Sequence, residues 1–102
     1  MVKFANTREE DLTTSPCGIS VEAKLKFGVT RDGIIKAAEI TFMVDSGAYA
    51  DVCPRMAIAM AVACSGPYNI ENLWCESMSV YTNHPFVTAL RGFGHTSYAF
   101  CI

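Results

Sequence analysis

The clearest pattern along the chain is an alternation. Val21, Ala23, Leu25, Phe27 and Val29 are separated by Glu22, Lys24, Lys26 and Gly28, and a period of two sustained in this way predicts a strand with one buried and one wet face. Thr30-Arg31-Asp32-Gly33 follows. Asp-Gly between two apolar runs predicts a hairpin, because glycine accepts the positive φ that such turns need. The return strand runs from Ile34 to about Val44 and puts Ala38, Ile40, Phe42 and Val44 on one face. An antiparallel hairpin over about residues 20–45 is therefore expected.

Beyond it the period changes. Asp45 to Asp51 has the composition of a loop, and Pro54 suits the first turn of a helix. The run Arg55-Met56-Ala57-Ile58-Ala59-Met60-Ala61-Val62-Ala63-Cys64 has almost no polar position, which predicts a helix over about residues 54–65 that is buried on most sides. Ser65-Gly66-Pro67 stops it. Residues 70–82 alternate imperfectly, with Ile70, Trp74, Met78 and Val80 on one parity and Leu73, Cys75 and Tyr81 on the other. That predicts a further strand, buried on both faces. Asn83-His84-Pro85-Phe86 breaks it, and a C-terminal helix is expected to start near Thr96.

Ahead of the hairpin, Val2-Lys3-Phe4-Ala5 suits a short strand. Thr7 with Glu10 three residues later has capping-box spacing for a turn of helix, and a solvated acidic loop fits the same residues. Ser15-Pro16-Cys17-Gly18 interrupts any helix. The fold class is α+β: hairpin, buried helix, strand and the start of a helix, with residues 1–102 forming one partial domain.

Composition changes the picture in one respect. The chain has 102 residues, 51% of them hydrophobic, and a net charge of −2, so it has a core to bury and no basic surface for a run of phosphates. Nucleic acid is not an expected partner. Fourteen of the eighteen charged side chains lie in residues 1–51, leaving only Arg55, Glu71, Glu76 and Arg91 for residues 52–102. A half so poor in charge cannot cover a free surface with polar groups, which predicts either a homo-oligomer or a piece of something larger. The longest apolar run, Met56 to Cys64, is too short to span a bilayer, and no secretory leader is visible. No membrane association and a cytoplasmic location are the expectations. Cys17, Cys53, Cys64, Cys75 and Cys101 contain no close pair, so each is expected to be a small buried hydrophobe rather than a disulfide or zinc ligand.

Candidate chemistry concentrates late in the chain. In Arg91-Gly92-Phe93-Gly94 the glycines let backbone approach a ligand, the ring offers a stacking surface and the guanidinium can fork onto an anion; a tight turn around a buried phenylalanine fits the same four residues. His84 and His95 have no histidine at ligand spacing, and Asp45 and Asp51 suit loop capping. No G-x-S-x-G or G-x-G-x-x-G occurs. No metal ligand or catalytic acid is assigned.

The ordered series Val2-Lys3, Thr7-Arg8-Glu9-Glu10-Asp11, Phe27 to Gly33, Val44-Asp45-Ser46-Gly47-Ala48-Tyr49-Ala50, Gly66-Pro67-Tyr68-Asn69-Ile70-Glu71-Asn72, Val80-Tyr81-Thr82-Asn83 and Ala89-Leu90-Arg91-Gly92-Phe93-Gly94 resembles the molybdopterin-binding large subunit of the xanthine dehydrogenase and aldehyde oxidase family. The resemblance implies oxidative hydroxylation of a purine, aldehyde or N-heterocycle, with oxygen from water and electrons passed to iron-sulfur and flavin partners. It implies that Arg91 and Gly92 contact the molybdopterin and that Phe93 and Leu90 contact the substrate. The copper-binding cysteine of the carbon monoxide branch has no counterpart in Arg91-Gly92-Phe93. Members commonly have Pro-Gln where His95-Thr96 stand here, and Ala59 stands where purine oxidisers have arginine, with Arg55 one turn earlier. The family's large subunit is several times longer and carries its catalytic glutamate elsewhere. The chain is therefore expected to be a fragment, inactive and without bound cofactor when alone; the alternative is a small non-catalytic module that self-associates through its charge-poor half.

Overall fold

The computed structural model describes all residues from Met1 to Ile102. In chain order the elements are α1 (Arg8–Thr14), β1 (Ser20–Val29), β2 (Ile35–Asp45), α2 (Cys53–Val62), β3 (Asn72–Val80) and α3 (His95–Cys101). The α+β class holds, as do the hairpin, the central helix, the later strand and the C-terminal helix.

Strands β1 and β2 pair antiparallel, with Val21 opposite Val44, Ala23 opposite Phe42 and Leu25 opposite Ile40. The two apolar parities thus meet on one face of the sheet. Gly33 turns the hairpin at φ +82°, and the register slips by one residue between Gly28 and Val29. Strand β3 joins the other edge of β2 in parallel, giving the order β1-β2-β3. A parallel neighbour needs a crossover, and α2 supplies it, packing back on β2 and β3. The core lies beneath this helix: Ala38, Ile40, Phe42 and Val44 from β2 meet Cys53, Met56, Ala57, Met60 and Cys64 from α2 and the residues that follow it, with Val87 closing one end.

Four expectations are corrected. Residues 2–5 form no strand, since no segment pairs with them. Helix α2 is buried on one side only: Met56 and Met60 are fully enclosed, whereas Ile58 and Val62, on the opposite side, are exposed. Strand β3 is likewise covered on one face. The register places Cys75, Ser77 and Ser79 beside Ile40, Phe42 and Val44, and the other face, with Trp74 and Met78, is open. Of the five cysteines only Cys53 and Cys64 are buried; Cys17 is exposed. Burial, followed by the neighbouring Cys64 thiol, pushes the half-buried Cys75 thiol up to about 12.

The capping box at α1 is formed in full: Glu10 N–H donates to Thr7 Oγ1 at 3.2 Å and Thr7 N–H to Glu10 Oε2 at 2.8 Å. The same seven-residue helix buries no side chain and packs on no other element. It stands off as an arm, and the molecule measures 64 × 22 × 20 Å. Its radius of gyration, 17.0 Å, exceeds the ~13 Å of a compact chain this long. Its accessible surface, 7283 Å², likewise exceeds the ~5,600 Å² expected of a folded monomer of this mass.

Candidate functional site

Two segments separated by most of the chain are brought together to make the site. Cys17 N–H donates to the Phe86 carbonyl at 3.2 Å, and Thr88 N–H returns a bond to the Cys17 carbonyl at 3.3 Å. This bridge runs parallel to Val87 and lays Gly18 and Ile19 against the chain leading to Leu90. A cavity of about 300 Å³ opens there, lined by Gly18, Ile19, Met56, Leu90, Arg91, Phe93, Gly94, Thr96 and Ser97.

The Leu90–Gly94 loop owes its shape to three consecutive residues of positive φ: Gly92 at 104°, Phe93 at 40° and Gly94 at 85°. Left-handed backbone at an aromatic residue is a strained choice. The Phe93 N–H donates to Leu90 O at 3.0 Å and His95 N–H to Gly92 O at 2.8 Å, which closes the turn. Gly94 rests on α2 so tightly that a Cβ would stand 2.9 Å from Met60 Cγ and 3.3 Å from the Met56 carbonyl. The ring of Phe93 is half-buried and packs on the core cluster. Leu90 and Arg91 are exposed.

Of the residues singled out from sequence, Leu90, Arg91 and Phe93 line the cavity. Gly92 shapes the loop without lining it: Thr96 Oγ1 occupies the space its Cβ would need. The loop alone gave no sign of Gly18, Ile19 and Met56, which arrive through the bridge and α2, nor of the hydroxyl-bearing Thr96 and Ser97. The only signal upstream was the glycine after Pro16-Cys17, read as a turn.

Electrostatically the cavity has one sign. Arg91 takes part in none of the four ion pairs, and no carboxylate lines the wall. An unpaired guanidinium, two hydroxyls and a glycine backbone free of side chains suit an anionic or strongly polar group and a flat partner against Phe93.

A second polar cluster anchors the root of this loop. Asp45, at the end of β2, accepts from Gly47 N–H at 2.9 Å and Thr82 Oγ1 at 2.5 Å on one oxygen, and from His84 Nε2 at 2.6 Å on the other. Burial alone would push its carboxyl up, but the Thr82 hydroxyl, the Gly47 N–H and His84 outweigh that and hold it below the usual carboxylate range. The Asp45 carboxylate, followed by the Pro85 carbonyl that accepts from Nδ1 at 2.5 Å, holds His84 above the usual imidazole range. Both ring nitrogens donate, so the satisfied form is the imidazolium. Gly47 packs directly on the backbone of Pro85 and Phe86.

The fold and site define a class: a mixed α+β unit whose cavity is built from a strained glycine loop seated on a crossover helix. The molybdopterin cofactor-binding domain family matches residues 1–102. Among curated relatives, the nicotinate dehydrogenase large molybdopterin subunit of Eubacterium barkeri is 36% identical over 100 residues, covering 98% of this chain and 24% of that protein. A probable xanthine dehydrogenase subunit of Bacillus subtilis is 30% identical over 101 residues, covering 99% of this chain and 14% of that one. Among solved structures, the aldehyde oxidoreductase from Desulfovibrio gigas superposes with a TM-score of 0.74 at 31% identity, covering 78% of this chain and 9% of that one. The chain belongs to the molybdopterin cofactor-binding domain family and spans less than a quarter of the length of these relatives. No helix is long and apolar enough to cross a membrane.

Proposed function

We propose that the chain acts as one section of a molybdenum hydroxylase large subunit, oxidising a purine, aldehyde or N-heterocycle with water as the oxygen source. The observation that carries this reading is the cavity at Leu90–Gly94, where an unpaired arginine and a half-buried aromatic ring meet a loop of continuous positive φ inside a molybdopterin cofactor-binding domain. The wall is largely apolar, from Ile19, Met56, Leu90 and Phe93, with the Arg91 guanidinium and the Thr96 and Ser97 hydroxyls at hand to meet the polar edge of the pterin cofactor. When bound, that group supplies the two-electron oxidation chemistry.

This chain's residues supply binding and orientation. Arg91 and Gly92 hold the cofactor side, the arginine by charge-assisted hydrogen bonding and the glycine by keeping Cβ atoms out of the approach. Phe93 presents its ring to a planar substrate, with Leu90 covering the rim. Asp45, Thr82 and His84 fix the stem from which the loop projects. No proton-transfer residue is assigned here, so turnover requires the remainder of the large subunit together with iron-sulfur and flavin partners, as an oxidoreductase soluble in the cytoplasm. The standing-off α1 and the open faces of α2 and β3 support a role as part of a larger body: that remainder covers them in the parent subunit, and a second copy covers them when the chain is alone.

A chimera tests this. The matching section of the nicotinate dehydrogenase large subunit is replaced by residues 1–102 and expressed with its partner subunits. Molybdenum and pterin retained near one per subunit, with dye-linked oxidation, support the reading. A folded chimera that assembles but loads no molybdenum overturns it, as does stoichiometric cofactor on the isolated chain.

A further inference from the structure

Two features of the fold lack a partner, and they complement each other. The first is the segment Val2-Lys3-Phe4-Ala5, which has the composition of a strand and pairs with nothing. Val2 and Phe4, which would share one face of such a strand, are both open to water. Helix α1 carries the segment away from the body. The capping box fixes the start of that helix, Ser15 N–H closes its end on the Asp11 carbonyl, and the backbone bonds of Cys17 to Phe86 and Thr88 anchor its root. With α1 packed on no other element and the molecule 64 Å long but only 22 and 20 Å across, the segment is held out from its own sheet.

The second feature is the outer edge of β1. The order β1-β2-β3 leaves β1 paired on one side only, so its outward N–H and C=O groups are a template for another strand. A groove of about 410 Å³ opens between the start of β1 and α3, lined by Ile19, Ser20 and Val21 and by Phe100 and Cys101. Phe100 is 93% exposed there.

We propose that two copies of this chain exchange arms, Val2–Ala5 of each adding as an antiparallel strand to the β1 edge of the other. The register sets Lys3 opposite Glu22, Phe4 opposite Val21 and Val2 opposite Ala23. Opposed side chains share a face, so Phe4 enters the groove beside Phe100 while Lys3 meets Glu22 on the wet face. Their charges are opposite, and neither takes part in the four ion pairs within the chain. On the free edge of β3 the same pairing with Glu76 would set Val2 and Phe4 beside Cys75 and Ser77, which offer an aromatic ring less apolar surface. The exchange is reciprocal and closes as a two-fold dimer with two identical contacts. The surface it needs is present: the chain's 7283 Å² exceeds the expected ~5,600 Å² by roughly 1,700 Å², about twice the ~800 Å² that each partner gives to a standard interface. The proposal rests on the reading that a second copy covers the chain when it is alone, and not on the molybdenum chemistry.

Sedimentation velocity over a concentration series of the 102-residue chain measures the dimer Kd. Phe4→Ala is expected to weaken each contact about tenfold and, because the dimer holds two, to raise Kd about 100-fold. Lys3→Glu and Glu22→Lys should each raise Kd about tenfold, and the double variant, which restores opposite charges across the contact, should return it to within about threefold of wild type. Lys3, Phe4 and Glu22 are exposed in the single chain, so these changes leave its core untouched. A chain that stays monomeric overturns both the arm exchange and the self-association reading. A dimer that Phe4→Ala or either single charge change leaves unmoved, or that the double variant does not rescue, keeps self-association and overturns the arm exchange. Should Phe4→Ala fail to fold, the charge swap decides by itself.

Discussion

Replacing Gly94 by alanine isolates how firmly helix α2 holds the site loop. Gly94 has φ +85° and Gly33 has φ +82°, so alanine meets nearly the same backbone penalty at both, about 1–2 kcal/mol. They differ in what the new methyl touches. At Gly33 nothing lies within 4 Å. At Gly94 it would stand 2.9 Å from Met60 Cγ and 3.3 Å from the Met56 carbonyl, and Met60 is fully buried, so its side chain can yield only by repacking the core. Overpacking of this kind costs a further ~1–3 kcal/mol. Gly33→Ala should therefore destabilise by about 1 kcal/mol once the unfolded chain's lost entropy is credited, and Gly94→Ala by about 2–4 kcal/mol. Urea denaturation followed by Trp74 fluorescence reads the difference as a shift in midpoint at unchanged slope. Equal shifts for the two variants would refute the seating of the loop on α2, and with it the physical basis for the shape of the cavity.

Other consequences are accessible to the same material. Phe93→Ala removes a half-buried ring packed on the core and should lower stability by ~1–3 kcal/mol, whereas Arg91→Ala, exposed and outside every ion pair, should leave the urea midpoint of the isolated chain within about 0.5 kcal/mol. His84 is raised above its ordinary 6.5, so its contribution is complete below that value and fades as pH climbs through the folded-state value; Asp45 is lowered from 3.8, so its contribution is present above 3.8 and fades on acidification below it. The midpoint gap between wild type and His84→Gln should accordingly be widest between the ordinary values of 3.8 and 6.5 and shrink as pH rises beyond 6.5; a gap that widens with rising pH contradicts the pairing. Light scattering at tens of micromolar should find a dimer or larger species, since Ile58, Val62, Trp74 and Phe100 are open to water, and a clean monomer would contradict it.

The parts of the fold legible in the sequence were those decided by neighbours in the chain. The hairpin follows from the strict alternation of Val21 to Val29 and from Asp32-Gly33, and α2 starts one residue before the proline that marks it. What escaped was decided by distant segments. An apolar strand such as residues 72–80 reads as buried on both faces and an apolar helix such as α2 as buried on most sides, yet each finds a partner on one side only, because the layer that would cover Trp74 or Ile58 is not made by these residues. Val2 to Ala5 had strand composition and no strand to pair with. The site was half legible: Arg91-Gly92-Phe93-Gly94 announces itself through its glycines, but the wall at Gly18 and Ile19 depends on a bridge between Cys17 and Val87, seventy positions apart, which leaves no local pattern. His84 found its carboxylate in the same non-local way, through the convergence of the ends of β2 and β3.

The transfer of function to the Leu90–Gly94 loop is tested most directly by turnover of the chimeric large subunit with and without Arg91→Ala. Arginine there would make a desolvated, charge-assisted hydrogen bond, whose loss costs roughly 1.5–3 kcal/mol, or about 10- to 150-fold in rate. The account predicts a fall of that size while molybdenum content and urea midpoint stay at the level of the unmutated chimera. Full activity in the Arg91→Ala chimera would contradict the placement of this loop at the cofactor.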